Sequence, residues 1–186
     1  MLFRSLVVTR ADEKGATQAV TDGTATEIIV GKPVSYGVAV SNMGAVPLVA
    51  GSVVRIEQYV SDFAVFSGKS APKSADFKAD LDSQKITPAP GQWVCIAGQG
   101  TPPAVQLPES LNKASDAIAA PVPVAAPGKK GAAIRCEITL ASTVAPQAQT
   151  PVLNITVSAA NSAKVGKPEW PIYASLPGAK NAPVAR

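Results

Sequence analysis

Cys95 and Cys136 are the only thiols in this chain, and beside them stand 13 acidic side chains and no histidine. Without imidazole, the usual base of serine and cysteine hydrolases and the commonest general acid are missing, which excludes those triads. Two cysteines alone do not make a structural zinc site, which takes four ligands. They can make a disulfide across or within a sandwich of sheets, worth roughly 3–4 kcal/mol through restriction of the denatured chain. The competing reading is a pair of buried thiols acting as small hydrophobes. An even count, no Cys-x-x-Cys and a low charge content favour the bridge.

Glycosidase chemistry needs only two carboxylates, and Glu57, Asp76, Asp80, Asp82 and Glu109 are present. They fall in expected loops or on expected exposed faces, with no sign of a cleft, so the expectation is that the chain is not an enzyme and holds no cofactor. Asp76, Asp80 and Asp82 are weak calcium candidates. Their spacing lacks the glycine and terminal glutamate of an EF-hand loop, and a solvated acidic loop accounts better for them. Asn154-Ile155-Thr156 matches a glycosylation triplet by chance, in mid-strand. Trp170 and Tyr173, set among prolines, are candidate aromatic contacts for a neighbouring module or a glycan; for Trp170, packing onto its own domain is an equal alternative.

The 17 basic residues are thinly spread, with Lys129-Lys130 the only adjacent pair, so no nucleic-acid partner is expected. No run approaches the roughly 18 apolar residues of a membrane span. Met1-Leu2-Phe3-Arg4-Ser5 lacks the apolar core of a signal peptide. Leu-Phe-Arg-Ser is also what a common sequencing adapter encodes in one frame, so residues 1–5 are read as an artefactual or truncated start.

Positioning elements follow from periodicity. Val34, Tyr36, Val38 and Val40 alternate with small or polar residues up to an Asn42-Met43-Gly44 turn, predicting a strand with one buried face. Further strands are predicted over 6–9, 27–30, 53–59 and 152–158. Ile134, Cys136, Ile138 and Leu140 define the inward face of another, with Arg135, Glu137 and Thr139 opposite. Trp93-Val94-Cys95-Ile96 reads as a buried strand, with Trp93 packing near Cys95. Residues 67–91 read as loop with a short hairpin at most. Residues 98–131, rich in Pro and Ala, read as an extended surface excursion, with one helical turn over 109–114. With 17 prolines and 14 glycines dispersed along the chain, long helices are not expected. The pattern predicts an all-β, antiparallel β-sandwich over residues 6–163, with 164–186 a linker or the start of a following module.

Three segments resemble the immunoglobulin-like repeats of bacterial surface proteins grouped as domain of unknown function 11. They are Val30 to Gly44 with the Val46-Pro47-Leu48 exit, Gly91-Gln92-Trp93-Val94-Cys95, and Pro151 to Ala159. The resemblance spans about residues 6–163. It departs from the family in the wide separation of Cys95 from Cys136 and in the long Pro/Ala-rich insertion. It implies an immunoglobulin-like sandwich in a secreted or cell-surface bacterial protein, often in tandem with neighbouring modules, and brings no catalytic residues. The expected role is a non-catalytic structural or spacer module. The alternatives are an adhesive or carbohydrate-binding module, meeting envelope glycan or a host surface through loops 67–91 and 98–131, and a virion or appendage subunit.

Overall fold

The computed structural model describes residues 4–11, 17–19, 33–59, 64–66, 76–102, 130–159, 172–177 and 184–185. The described residues form ten strands: β1 Arg4–Ala11, β2 Thr17–Ala19, β3 Pro33–Asn42, β4 Val53–Tyr59, β5 Ala64–Phe66, β6 Val94–Gly100, β7 Gly131–Thr139, β8 Leu153–Ala159, β9 Ile172–Ser175 and β10 Val184–Ala185. They form two five-stranded antiparallel sheets, ordered β2-β1-β3-β8-β5 and β10-β9-β4-β7-β6. The expected all-β sandwich is the observed architecture.

Side chains of period two build the interior. Val38 and Val40 of β3 and Leu153 and Ile155 of β8 come from the first sheet. Val54 and Ile56 of β4, Ala97 of β6, Ile134, Cys136 and Ile138 of β7 and Ala174 of β9 come from the second. Because each strand delivers alternate residues inward, the two layers interleave in a single continuous cluster.

At one end, the loops between β3 and β4 and between β7 and β8 are locked together. Leu48 and Val144 exchange backbone hydrogen bonds of 2.9 and 2.8 Å, and both side chains are buried. Asn42 completes the lock: its Nδ2 donates to the carbonyls of Val46 and Val144 at 2.9 and 3.1 Å, and its Oδ1 accepts from the Gly44 amide at 3.2 Å. A fully buried amide side chain with partners for both its ends costs no unmet desolvation. The Asn turn predicted from sequence is therefore also a tether between two loops distant in the chain.

The structure corrects several boundaries. Arg4 and Ser5 pair with Asn42 and Ser41 and belong to the fold, not outside it. Residues 172–175, expected in a linker, form β9, whose Ile172 to Ser175 pair with Gln58 to Arg55 of β4. Their apolar pattern of Ile172, Tyr173 and Ala174 is short, and the surrounding prolines masked it. Among described residues, 76–91 hold two 3-10 turns, Asp76–Lys78 and Leu81–Ser83, where a hairpin was the alternative. The strand expected over 27–30 and the turn over 109–114 lie outside the described residues.

Ile138 is fully buried near the end of β7, within the main core. Ile138→Ala is expected to cost about 2–5 kcal/mol through lost burial and a residual cavity, read from urea unfolding monitored by circular dichroism. A loss below about 0.5 kcal/mol would contradict this packing.

Candidate functional site

Cys95 and Cys136 form a disulfide, with Cα atoms 4.1 Å apart. They are directly opposed in the β6–β7 register, so the bridge links neighbouring strands of one sheet and does not cross the sandwich. The sequence placed both cysteines among apolar company, and the structure separates them. Cys136 is fully buried in the core, whereas Cys95 is exposed on the edge strand. Trp93 packs partly buried against the core, as expected. Its Nε1 donates to the Pro151 carbonyl at 3.0 Å, which ties the entry of β6 to the entry of β8 in the facing sheet.

The outer face of the second sheet carries a charge ladder. Both β4 and β7 contain Arg-x-Glu, and an antiparallel register opposes Arg55 to Glu137 and Glu57 to Arg135. Arg55 Nη2 lies 2.7 Å from Glu137 Oε1. Arg135 contacts Glu57 through Nε and reaches beyond it, donating to Asp82 Oδ1 at 2.7 Å and the Leu81 carbonyl at 3.1 Å. Burial works against the guanidinium charge of Arg135, but Asp82 and Glu57 overcome it and raise its pKa above the usual arginine value.

Residues 79–84 lie across this face because β6 presents glycines there. A Cβ on Gly98 would stand 2.5 Å from the Ala79 carbonyl oxygen and 2.7 Å from Gln84 Nε2, and one on Gly100 would stand 3.0 Å from Leu81 Cδ1. The bare strip lets Leu81 bury completely against Tyr59, Ala133 and Tyr173, with Ile96 at the margin. Backbone bonding holds the segment too: the Gln99 amide donates to Ala79 O at 2.7 Å, and Gln84 Nε2 donates to Ala97 O at 2.8 Å. The excursion expected from residue 98 therefore starts later, since β6 runs to Gly100.

The calcium candidates have other employment. Asp80 accepts from the Asp82 amide at 3.0 Å, capping the second 3-10 turn, and is paired with Lys130. Lys130 first, then the Asp82 amide, hold its carboxyl below the ordinary aspartate range. Asp82 is paired with Arg135. The side chain of Asp76 lies outside the described residues, as does the aromatic candidate Trp170.

Tyr173 is not the exposed contact expected from sequence. It is 2% exposed and meets Tyr59 edge to face, with ring centroids 5.6 Å apart and planes at 87°. Pairing β9 with β4 turns this ring onto the outer face beneath Leu81. Tyr59 Oη donates to the Thr101 carbonyl at 2.9 Å, while Tyr173 Oη is buried without a hydrogen-bond partner among the described residues. Burial raises the pKa of both phenols. On the core side of β4, fully buried Gln58 donates through Nε2 to Tyr36 Oη, and its Oε1 has no partner among the described residues. No sequence signal distinguished these groups, because their exposure depends on what packs across each strand. The paired Arg-x-Glu repeats were such a signal for the ladder.

No family model matches the chain, and no curated protein matches it.

Gly98→Ala is expected to displace residues 79–84, since the added methyl meets a backbone oxygen that can yield only by moving the segment. The check is amide hydrogen exchange: the Gln99 amide should lose protection while Val54 and Ile138 keep theirs. Arg135→Met leaves Glu57 and Asp82 without their cation and is expected to cost about 2 kcal/mol, less than a fully buried unpaired charge because Asp82 remains wet. Glu57→Gln added to it should recover part of that loss in urea melts; strict additivity of the two substitutions would refute the pairing.

Proposed function

We infer that this chain is a non-catalytic structural module of a secreted or cell-surface polypeptide, meeting a neighbouring module of that polypeptide through one end of its sandwich. The observation that carries the reading is the distribution of exposed apolar surface. Met43, Val46, Val49 and Val152 are the exposed large hydrophobic side chains among the described residues. All stand on residues 43–52 and 140–152, segments with no charged side chain. Clustered exposed apolar residues mark contact surfaces, whereas scattered ones need no explanation. Asn42 and the Leu48–Val144 exchange hold this end rigid. The chain also enters β1 here, since Arg4 pairs with Asn42, so a preceding module would meet this surface first.

Three further features support the reading. Among the described residues, four carboxylates are engaged: Glu57 and Asp82 with Arg135, Glu137 with Arg55, and Asp80 with Lys130. A disulfide suits an oxidising compartment. The resemblance of residues 30–48, 91–95 and 151–159 to bacterial immunoglobulin-like surface repeats points to the same class. An adhesive role through loops 67–91 and 98–131 is less supported, because residues 79–84 are pinned to the sheet and present a committed surface.

A glycan array probed with the full chain tests the choice. The structural reading expects no reproducible binding. Glycan binding that persists in Val46→Lys/Val49→Lys, and is lost on substitution within 84–92, would replace it with the carbohydrate-binding reading.

A further inference from the structure

We propose that the Cys95–Cys136 bridge is a site of thiol–disulfide exchange in the folded protein, with Cys95 as the sulfur attacked by a small external monothiol. Displacement at sulfur is in line: the incoming thiolate must approach along the extension of the S–S bond, behind the sulfur it attacks. Which sulfur reacts is set by access behind it and by the pKa of the thiol that leaves; burial makes Cys136 the poorer leaving group, and access, which only Cys95 offers, is the term that outweighs it here.

The two sides of this bridge differ completely. Sheet order places β6 at an edge, with β7 between it and β4. The line from Cys136 to its opposed partner Cys95 thus runs outward across the sheet margin. In the other direction, the residue directly behind Cys136 is Ile56 of β4, itself 1% exposed. Cys95 is exposed and Cys136 is 0% exposed.

The turns Asp76–Lys78 and Leu81–Ser83 pack against β6, and Cys95 stays exposed beside them. Asp80 bridges Gln99 toward one end of β6, and at the other end Pro90 takes the place beside Thr139 of β7. Between them, Val94 to Ile96 have no strand partner on their outer edge among the described residues. An exposed strand margin is a position that proteins usually cover, and this one leaves its single sulfur in reach.

The chemistry balances without an added oxidant. A thiolate RS⁻ forms a bond to Cys95 sulfur as the Cys95–Cys136 bond breaks, and the electron pair leaves on Cys136 sulfur, which takes up the proton that the incoming thiol gave to the medium, reaching it from the exposed Cys95 side. One disulfide is consumed and one is made, so the incoming sulfur is oxidised and Cys136 is reduced. The departing group need not move: a protonated cysteine behaves as a small hydrophobe, and Cys136 already sits among Ile56, Ile134 and Ile138. Pairing of β7 with β4 on one side and β6 on the other holds the fold meanwhile. The product is a sandwich carrying an adduct, and after a second exchange a free thiol, at the rim of β6.

The test uses the full chain, native and without denaturant, incubated with glutathione, then acid-quenched, unfolded, alkylated and mapped by mass spectrometry. The expected result is a glutathione adduct on Cys95 and an alkyl group on Cys136, with the reverse distribution at least about tenfold rarer. Equal or reversed labelling overturns the proposal, as do free thiols on the untreated protein or protection of the bridge until denaturant is added. Val38→Ala, a core substitution in the other sheet, separates native attack from attack on unfolded chain. Its exchange rate should stay within about twofold of the parent, whereas acceleration of about tenfold or more would show that sulfur is reached only through unfolding.

Discussion

The antiparallel register between β4 and β7 is the constraint on which the second sheet depends. One alignment sets Ile56 against Cys136 and Val54 against Ile138 on the core face, and Arg55 against Glu137 and Glu57 against Arg135 on the other. A slip of one residue would turn charges inward and isoleucines outward. A slip of two would keep the faces but break the opposition of charges, which placing like charges face to face would penalise. The hydrophobic pattern excludes the first error and the Arg-x-Glu repeats the second. The disulfide then extends the same register to β6 by fixing Cys95 opposite Cys136.

Half-buried ion pairs are a weak source of net stability, because desolvation offsets most of the attraction. Their value here lies in what they connect. Arg135 touches Glu57 on β4 and then Asp82 and the Leu81 carbonyl in the overlying segment, so one guanidinium joins three parts of the chain. Leu81 supplies the apolar term by burying completely over Gly98 and Gly100, where side chains would have excluded it. Register in the sheet thus becomes position in a loop. The sheet's second face has a small core of its own, distinct from the main one.

Much of this was legible in the sequence. Val53–Tyr59 was predicted as a strand to its observed bounds, and the inward face of Ile134, Cys136 and Ile138 followed from period two alone. What was lost was lost for physical reasons. Leu81 looked isolated because its partners come from β4, β7 and β9, none near it in sequence. Tyr173 looked exposed because four strand residues among prolines are too few to show a period, while tertiary pairing with β4 decides their fate. Cys95 looked buried because alternation reports which face a residue takes and not whether its strand lies at an edge. The ionic ladder was readable in principle, since two Arg-x-Glu strands brought antiparallel must oppose unlike charges.

Among the described residues, the unmet buried polar atoms fall at one junction. Gln58 pairs with Ile172 and Glu57 with Tyr173 where β9 joins β4, and the two buried polar atoms without partners, Gln58 Oε1 and Tyr173 Oη, belong to that pairing from opposite faces. An unmet buried group costs about 1–3 kcal/mol, and release of β9 would return Tyr173 Oη to water. Against that release stand four residues of ladder with β4, two with β10, the burial of Ile172 and Ala174, and the edge contact of Tyr173 with Tyr59. On the other side of the β4–β7 pair, β6 is held over seven paired positions, by the disulfide and by the Trp93 clasp to Pro151. The two flanks of the β4–β7 pair are therefore unequal: β6 is over-secured, and β9 holds by packing that must outweigh an unmet hydrogen bond. Local opening in a sheet begins where the fewest favourable terms must be given up, which places it on the β9 side. The bridge can then lose its covalent bond on the β6 side without that strand becoming the weaker of the two.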